Sequence, residues 1–212
     1  EDTGSRNIAI GQDALNSLNY DGNGYNVAVG HEAGVRVTTG LLNILIGGFT
    51  GDHLTTGGDN IAIGYAALGA EDGHGKNIAI GTQALEDQDA GADAYNVAIG
   101  HQAGKEMSTG VRNIIMGGFA GDSLTTGSYN VAIGHGALQT EDAHGLNTAV
   151  GMQALNTLNA GANGYNVAVG YQAGLYMTTG VQNTLIGGLA GDALTTGADN
   201  VAVGWAALST ED

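Results

Sequence analysis

Asn60-Ile61-Ala62-Ile63-Gly64, followed after two residues by Ala67, decides the fold, because the chain repeats this frame along its whole length. Counting places from the Asn, the frame starts at Asn7, Asn26, Asn43, Asn60, Asn77, Asn96, Asn113, Asn130, Asn147, Asn166, Asn183 and Asn200. Successive starts lie 17 residues apart, except that the first coil of each set of four spans 19, so four coils make a 70-residue unit. Three such units, 1–70, 71–140 and 141–212, form a single solenoid segment. Glu1-Asp2 and Glu211-Asp212 share the register of Glu71-Asp72 and Glu141-Asp142, so the segment is expected to belong to a longer array.

Places 2 and 4 are Ile or Val almost throughout, with Thr148, Thr184 and Met116 as the exceptions. Alternation of this kind is a strand with one buried face. Place 5 is always Gly, and place 8 is Ala in every coil but that of Thr50. Several coils close on Thr-Thr-Gly or Ser-Thr-Gly, as at Thr38-Thr39-Gly40 and Ser108-Thr109-Gly110, which are turn and second-strand signals. Place 12 is most often Leu, Val or Met, as in Leu18, Val37, Leu54, Met107, Leu124, Leu158, Met177 and Leu194. The pattern predicts inward residues on two short arms with Gly at the corners. One coil cannot bury its own aliphatics, so they stack on those of its neighbours. The predicted fold is all-β, a parallel β-solenoid of twelve coils. Two glycines per unit, each costing about 1 kcal/mol relative to Ala, argue against a helical repeat, and the lack of Pro argues against collagen. At about 4.8 Å per coil the rod is roughly 58 Å long, with a four-coil step near 19 Å.

Composition narrows the function. The 212 residues carry 5 Lys+Arg against 21 Asp+Glu, a formal net charge of −16. Five scattered cations cannot form a phosphate-neutralising patch, so nucleic acid is excluded as a partner. The longest apolar run, Leu41–Phe49, is broken by Asn43 and Gly47 and is far shorter than the roughly 18 residues a membrane span requires. No cysteine is present, which removes disulfides and thiolate chemistry together. Neither a Gly-x-Ser-x-Gly elbow, a phosphate-binding Gly-rich loop ending in Lys, nor His-Glu-x-x-His occurs, and the sequence makes no case for an enzyme.

Asn7-Ile-Ala-Ile-Gly11, Asn60-Ile-Ala-Ile-Gly64 and Asn130-Val-Ala-Ile-Gly134, each followed by x-x-Ala, resemble the head repeats of YadA-like trimeric autotransporter adhesins, which also occur in bacteriophage fibre proteins. The resemblance covers the whole chain, although the family's usual coil is shorter, at about 14 residues. It implies a left-handed β-roll, side-by-side association of three chains, an extracellular, cell-surface or phage-fibre location, and adhesion to host or matrix ligands.

The twelve Asn are expected to stack as a ladder of side-chain amides. Third coils depart from the pattern: place 3 becomes Leu45, Ile115 and Leu185, and place 7 becomes Phe49, Phe119 and Leu189. If places 2 and 4 face inward, place 3 faces outward, and these six residues become candidate chain-to-chain contacts. The alternative is a second inward face that they fill. The 19-residue coils carry loops containing Asp21 and Asn23, Asp89 and Asp93, and Asn159 and Asn163, whose oxygens are candidate Ca²⁺ ligands; turn chemistry explains them equally. No cofactor is required by these features. Fourth coils carry Glu71-Asp72 with His74 and Glu141-Asp142 with His144, a set suited to a divalent cation, to acid–base work, or simply to a solvated loop.

The leading expectation is a structural or adhesive fibre segment: a stiff acidic rod that associates with itself, as a homotrimer or filament, and presents repeated loops to a surface or glycan. The rival is an ice-binding solenoid using the Thr ranks Thr38/Thr39, Thr55/Thr56, Thr125/Thr126, Thr178/Thr179 and Thr195/Thr196, which are interrupted in the first and fourth coils of each unit.

Overall fold

A computed structural model describes residues 6–210, so the terminal Glu1-Asp2 and Glu211-Asp212 pairs lie outside it. Each Asn motif forms one strand of three residues, from β1 (Ile8–Ile10) to β12 (Val201–Val203), and the twelve strands make one parallel sheet in chain order. The register pairs like places, Ala28 with Leu45 and Leu45 with Ala62, so every place becomes a column along the rod. The fold is an all-β solenoid.

The rest of each coil also bonds to its neighbours, for example Leu85 N to Ala103 O at 3.1 Å and Gln83 N to Tyr65 O at 2.8 Å, but it does so through turns. The expected second strand is absent among the described residues. Its place is taken by left-handed backbone at place 7, at place 9 and just before each Asn, as at Gln83 (φ 59°), Leu85 (φ 50°) and Tyr95 (φ 54°). Such residues interrupt an extended arm and are tolerated because bonds to the coils on either side over-determine them.

The facing of the strand is the reverse of the sequence expectation. Place 3 points inward: Ala28, Ala62, Ala98 and Ala132 have no exposed surface, whereas Ile44 at place 2 is 36% exposed and Ile114 is 42% exposed. The interior behind the strand is narrow, and a methyl group fills it in most coils. Where place 3 is large, the glycines opposite make room. A Cβ on Gly104 would lie 3.1 Å from Ile115 Cδ1, and one on Gly121 would lie 3.2 Å from the same atom. Place 9 thus reads Leu, Gly, Gly, Leu through each unit, and one Leu or Ile at place 3 of the third coil fills the space that two glycines leave. This complementarity accounts for the four-coil period. A further column at place 12, including Val37, Leu54, Met107 and Leu124, completes the core.

The Asn column is continuous. Each Oδ1 accepts the main-chain N–H of the next Asn, from Asn26 N to Asn7 Oδ1 at 3.0 Å to Asn200 N to Asn183 Oδ1 at 3.0 Å, eleven bonds without a gap. Amide-to-amide bonds, the form read from the sequence, occur at six of those steps. The spare amide hydrogen often goes to a turn carbonyl, as from Asn113 Nδ2 to Gly127 O at 2.9 Å.

Two substitutions test these supports. Gly100 has φ +143°, and a Cβ there would sit 2.6 Å from the carbonyl of Gly117; Gly100→Ala is expected to cost about 3 kcal/mol, against roughly 1 kcal/mol for Gly161→Ala, where no atom approaches. Asn113→Leu strips the acceptor from Asn130 N–H and bares the Gly127 carbonyl, and is expected to cost about 3 kcal/mol at one to two orphaned groups. Urea denaturation followed by circular dichroism reads both.

Candidate functional site

With place 3 inside, places 2 and 4 form two parallel rows of Ile, Val, Thr and Met along one side of the rod, and no strand residue is charged. Exposed aromatics flank the rows at the residue before the Asn (Tyr25, Tyr95, Tyr129, Tyr165) and at place 6 (Tyr65, Tyr171, Trp205). A flat aliphatic strip with an aromatic border has the composition of an interface core.

The residues predicted for that role are elsewhere. Leu45, Ile115 and Leu185 are fully buried and belong to the solenoid's own core, because the alternation places them inward and the place 9 glycines accommodate them. Phe49 and Phe119 are half-buried at a corner. Phe49 packs edge-on between His31 and Tyr65 at 5.1 and 5.7 Å, and Phe119 between His101 and His135 at 5.2 and 5.7 Å. Leu189 occupies the same place, also half-buried.

The loop oxygens divide. Asp93 pairs with Lys76, whose ammonium holds the Asp93 carboxyl below the usual range; Lys76 also lies over the Tyr95 ring, and Arg112 over Tyr129. Asn163 Oδ1 accepts Gly145 N–H at 3.2 Å. Asp21 and Asn23 are exposed and have partners of their own. Among the described residues, two groupings of three or more carboxylates and imidazoles stand close enough to share an ion, and only Asp89 of the predicted Ca²⁺ ligands is in one.

Those groupings lie at the fourth-coil corners. Glu71, Asp72, His74 and Asp89 bring one ligand atom each to within 4.8 Å of one another, as do Glu141, Asp142 and His144. Glu71 and Glu141 stand at place 12, the column that among the described residues is Leu, Val or Met elsewhere except at Gln88, and both are fully buried. Burial pushes the Glu71 carboxyl up to about 7; His74 N–H pulls it down, and Asp89, Asp72 and Asp93 push it further up. Burial also raises Glu141, against the opposing pull of Ala160 and His144. Glu71 Oε1 accepts His74 N–H at 3.1 Å, while Glu71 Oε2 and His74 Nδ1 are buried without any partner. The sequence shows Glu-Asp replacing the Leu-Thr of places 12 and 13 here, which reads more readily as a solvated loop than as a metal site; the structure instead buries the Glu.

The Thr ranks run along bends, not along the flat sheet, and the first hydroxyl of a pair turns back to the chain: Thr38 Oγ1 donates to Thr55 O at 3.2 Å and Thr125 Oγ1 to Asp142 O at 2.8 Å.

Comparison with protein-family models, with curated proteins and with solved structures returned no match. The likeness to adhesin head repeats is therefore carried by the quoted motifs.

Ile115→Ala separates core from contact: it is expected to lower stability by about 2–4 kcal/mol while the mass in solution stays as it was. A change of mass without loss of stability would put Ile115 back on an interface.

Proposed function

We propose that the chain is a structural segment of an extracellular fibre, a stiff rod whose copies lie side by side through the aliphatic sheet face and leave the loops to meet a surface or glycan. The observation that carries this reading is the uncharged strip of places 2 and 4 running the length of a chain that bears 26 charged residues elsewhere. At about 58 Å by roughly 12 Å it offers on the order of 700 Å², close to the ~800 Å² per partner of a stable protein interface. A second copy is the occupant whose spacing fits: two identical columns with the same coil rise stay in register along their whole length. The remaining surface, dominated by Asp and Glu, keeps the other sides apart by repulsion. The motif resemblance sets the number of copies at three.

Light scattering behind a sizing column tests the association. A mass near three times the 21.1 kDa chain is expected, and Ile44→Lys with Ile114→Lys, both on exposed strand positions, is expected to reduce it to one chain while the strand signal persists. A wild-type protein that elutes as a 21.1 kDa monomer at high concentration would overturn the lateral contact.

A further inference from the structure

The two acidic corners are built alike but are not equivalent. In each, a fourth coil contributes Glu at place 12, Asp at place 13 and His at place 15; the following coil supplies the next place 13, which is Asp89 at the first corner and Asn159 at the second. Only the first gathers four ligand atoms.

Several observations there point to a ligand. Glu71 is fully buried in a column that is otherwise Leu, Val or Met except at Glu141 and at Gln88, whose amide is taken up by Ser108 and Asn96, so the Glu71 carboxylate has lost water and has gained a single main-chain N–H in return. Its Oε2 has no hydrogen-bond partner, and neither does the buried Nδ1 of His74, which lies 3.9 Å from Glu71 Oε1. Two orphaned acceptor atoms facing one point, with two exposed carboxylates beside them, lack a shared positive charge. At the second corner the corresponding need is partly met within the chain, where Glu141 Oε2 accepts Ala160 N–H at 3.2 Å. Lys76, two residues beyond His74, is occupied by Asp93 and Tyr95.

We propose that Glu71, Asp72, His74 and Asp89 form a binding site for a divalent cation of the zinc class, which ties the fourth coil of one set of four to the first coil of the next. Three carboxylate oxygens and one imidazole nitrogen make a mixed set that suits a small borderline ion better than Ca²⁺, which prefers oxygen alone. Around an ion with bonds of about 2.0–2.2 Å, tetrahedral donors stand roughly 3.3 Å apart. The donors here lie within 4.8 Å of one another, so closing on an ion takes rotation of the exposed Asp72 and Asp89 side chains and a small turn of the half-buried His74 ring, whose Nδ1 lies 3.9 Å from Glu71 Oε1. The ion spans adjacent coils, because Asp89 belongs to the coil after the one that carries the other three.

The test is calorimetric titration of Zn²⁺ into the EDTA-dialysed, tag-free chain, with circular dichroism confirming that each variant folds. The wild type is expected to take up one tight equivalent, Asp89→Asn to weaken it by about tenfold or more, and His74→Ala likewise. Because Asp89 is exposed, its replacement leaves the core intact. Asn159→Asp completes the second corner and is expected to raise the stoichiometry from one tight equivalent to two. Ca²⁺ in place of Zn²⁺ is expected to bind more weakly. No saturable uptake, an isotherm indifferent to Asp89→Asn, or no added equivalent in Asn159→Asp would each overturn the site; none of these results depends on whether the chains associate laterally.

Discussion

Every coil satisfies its main chain through the coils before and after it, in a register that sets each place directly above itself, and the rest of the molecule follows from that stacking. A residue type is admissible at a place only if it tolerates its own column a single coil rise away. Asn meets the condition because it both donates and accepts, so a row of twelve, ten of them buried, is self-consistent. Ala meets it by being small. Like charges do not, and the basic residues before the motif are separated by rings, with Tyr95 between Lys76 and Arg112. Where Asp72 and Asp89 do stack at the same place, two buried polar atoms beside them, Glu71 Oε2 and His74 Nδ1, have no hydrogen-bond partner.

Much of this was legible. The motif spacing gave the coil, the coil gave the parallel stacking, and the Asn row followed from its recurrence. The facing of the strand was not, because aliphatics at alternate places look the same whether they meet their own core or another surface. The distinguishing mark was the residue between them. Place 3 is Ala in nine coils and a larger aliphatic only in the three third coils, the restriction on size that a narrow interior imposes. The glycines at place 9 drew no reading from the sequence, yet they leave the space into which Leu45, Ile115 and Leu185 fit. That complementarity joins residues in different coils and is invisible to a reading confined to one. The predicted Ca²⁺ loops divided for a similar reason: Asp89 and Asp93 are close in sequence but serve different neighbours, one facing Glu71 and the other Lys76.

The sides of the rod therefore differ in what they can do. The sheet side is nearly uniform along its length, since ten of the twelve coils offer two apolar side chains to the outside and the coils of Thr148 and Thr184 offer one, and it is suited to an extended contact whose strength grows with the number of coils. The corners are not uniform. They carry the departures from the repeat, Phe49 between His31 and Tyr65 and Glu71 beneath Asp89, and such departures mark individual points along an otherwise regular surface.

The Leu, Gly, Gly, Leu order at place 9 also governs how a rod of this kind changes length over evolutionary time. Removing a single coil, such as that of Asn43, would take Leu45 from the space beside Gly34 and leave a void in the core. Recombination that adds or drops a whole 70-residue unit brings the same neighbours back together and leaves no defect. Viable descendants should therefore differ by whole units, in lengths quantised at about 19 Å, and the gene can lengthen or shorten the rod without redesigning any packing contact.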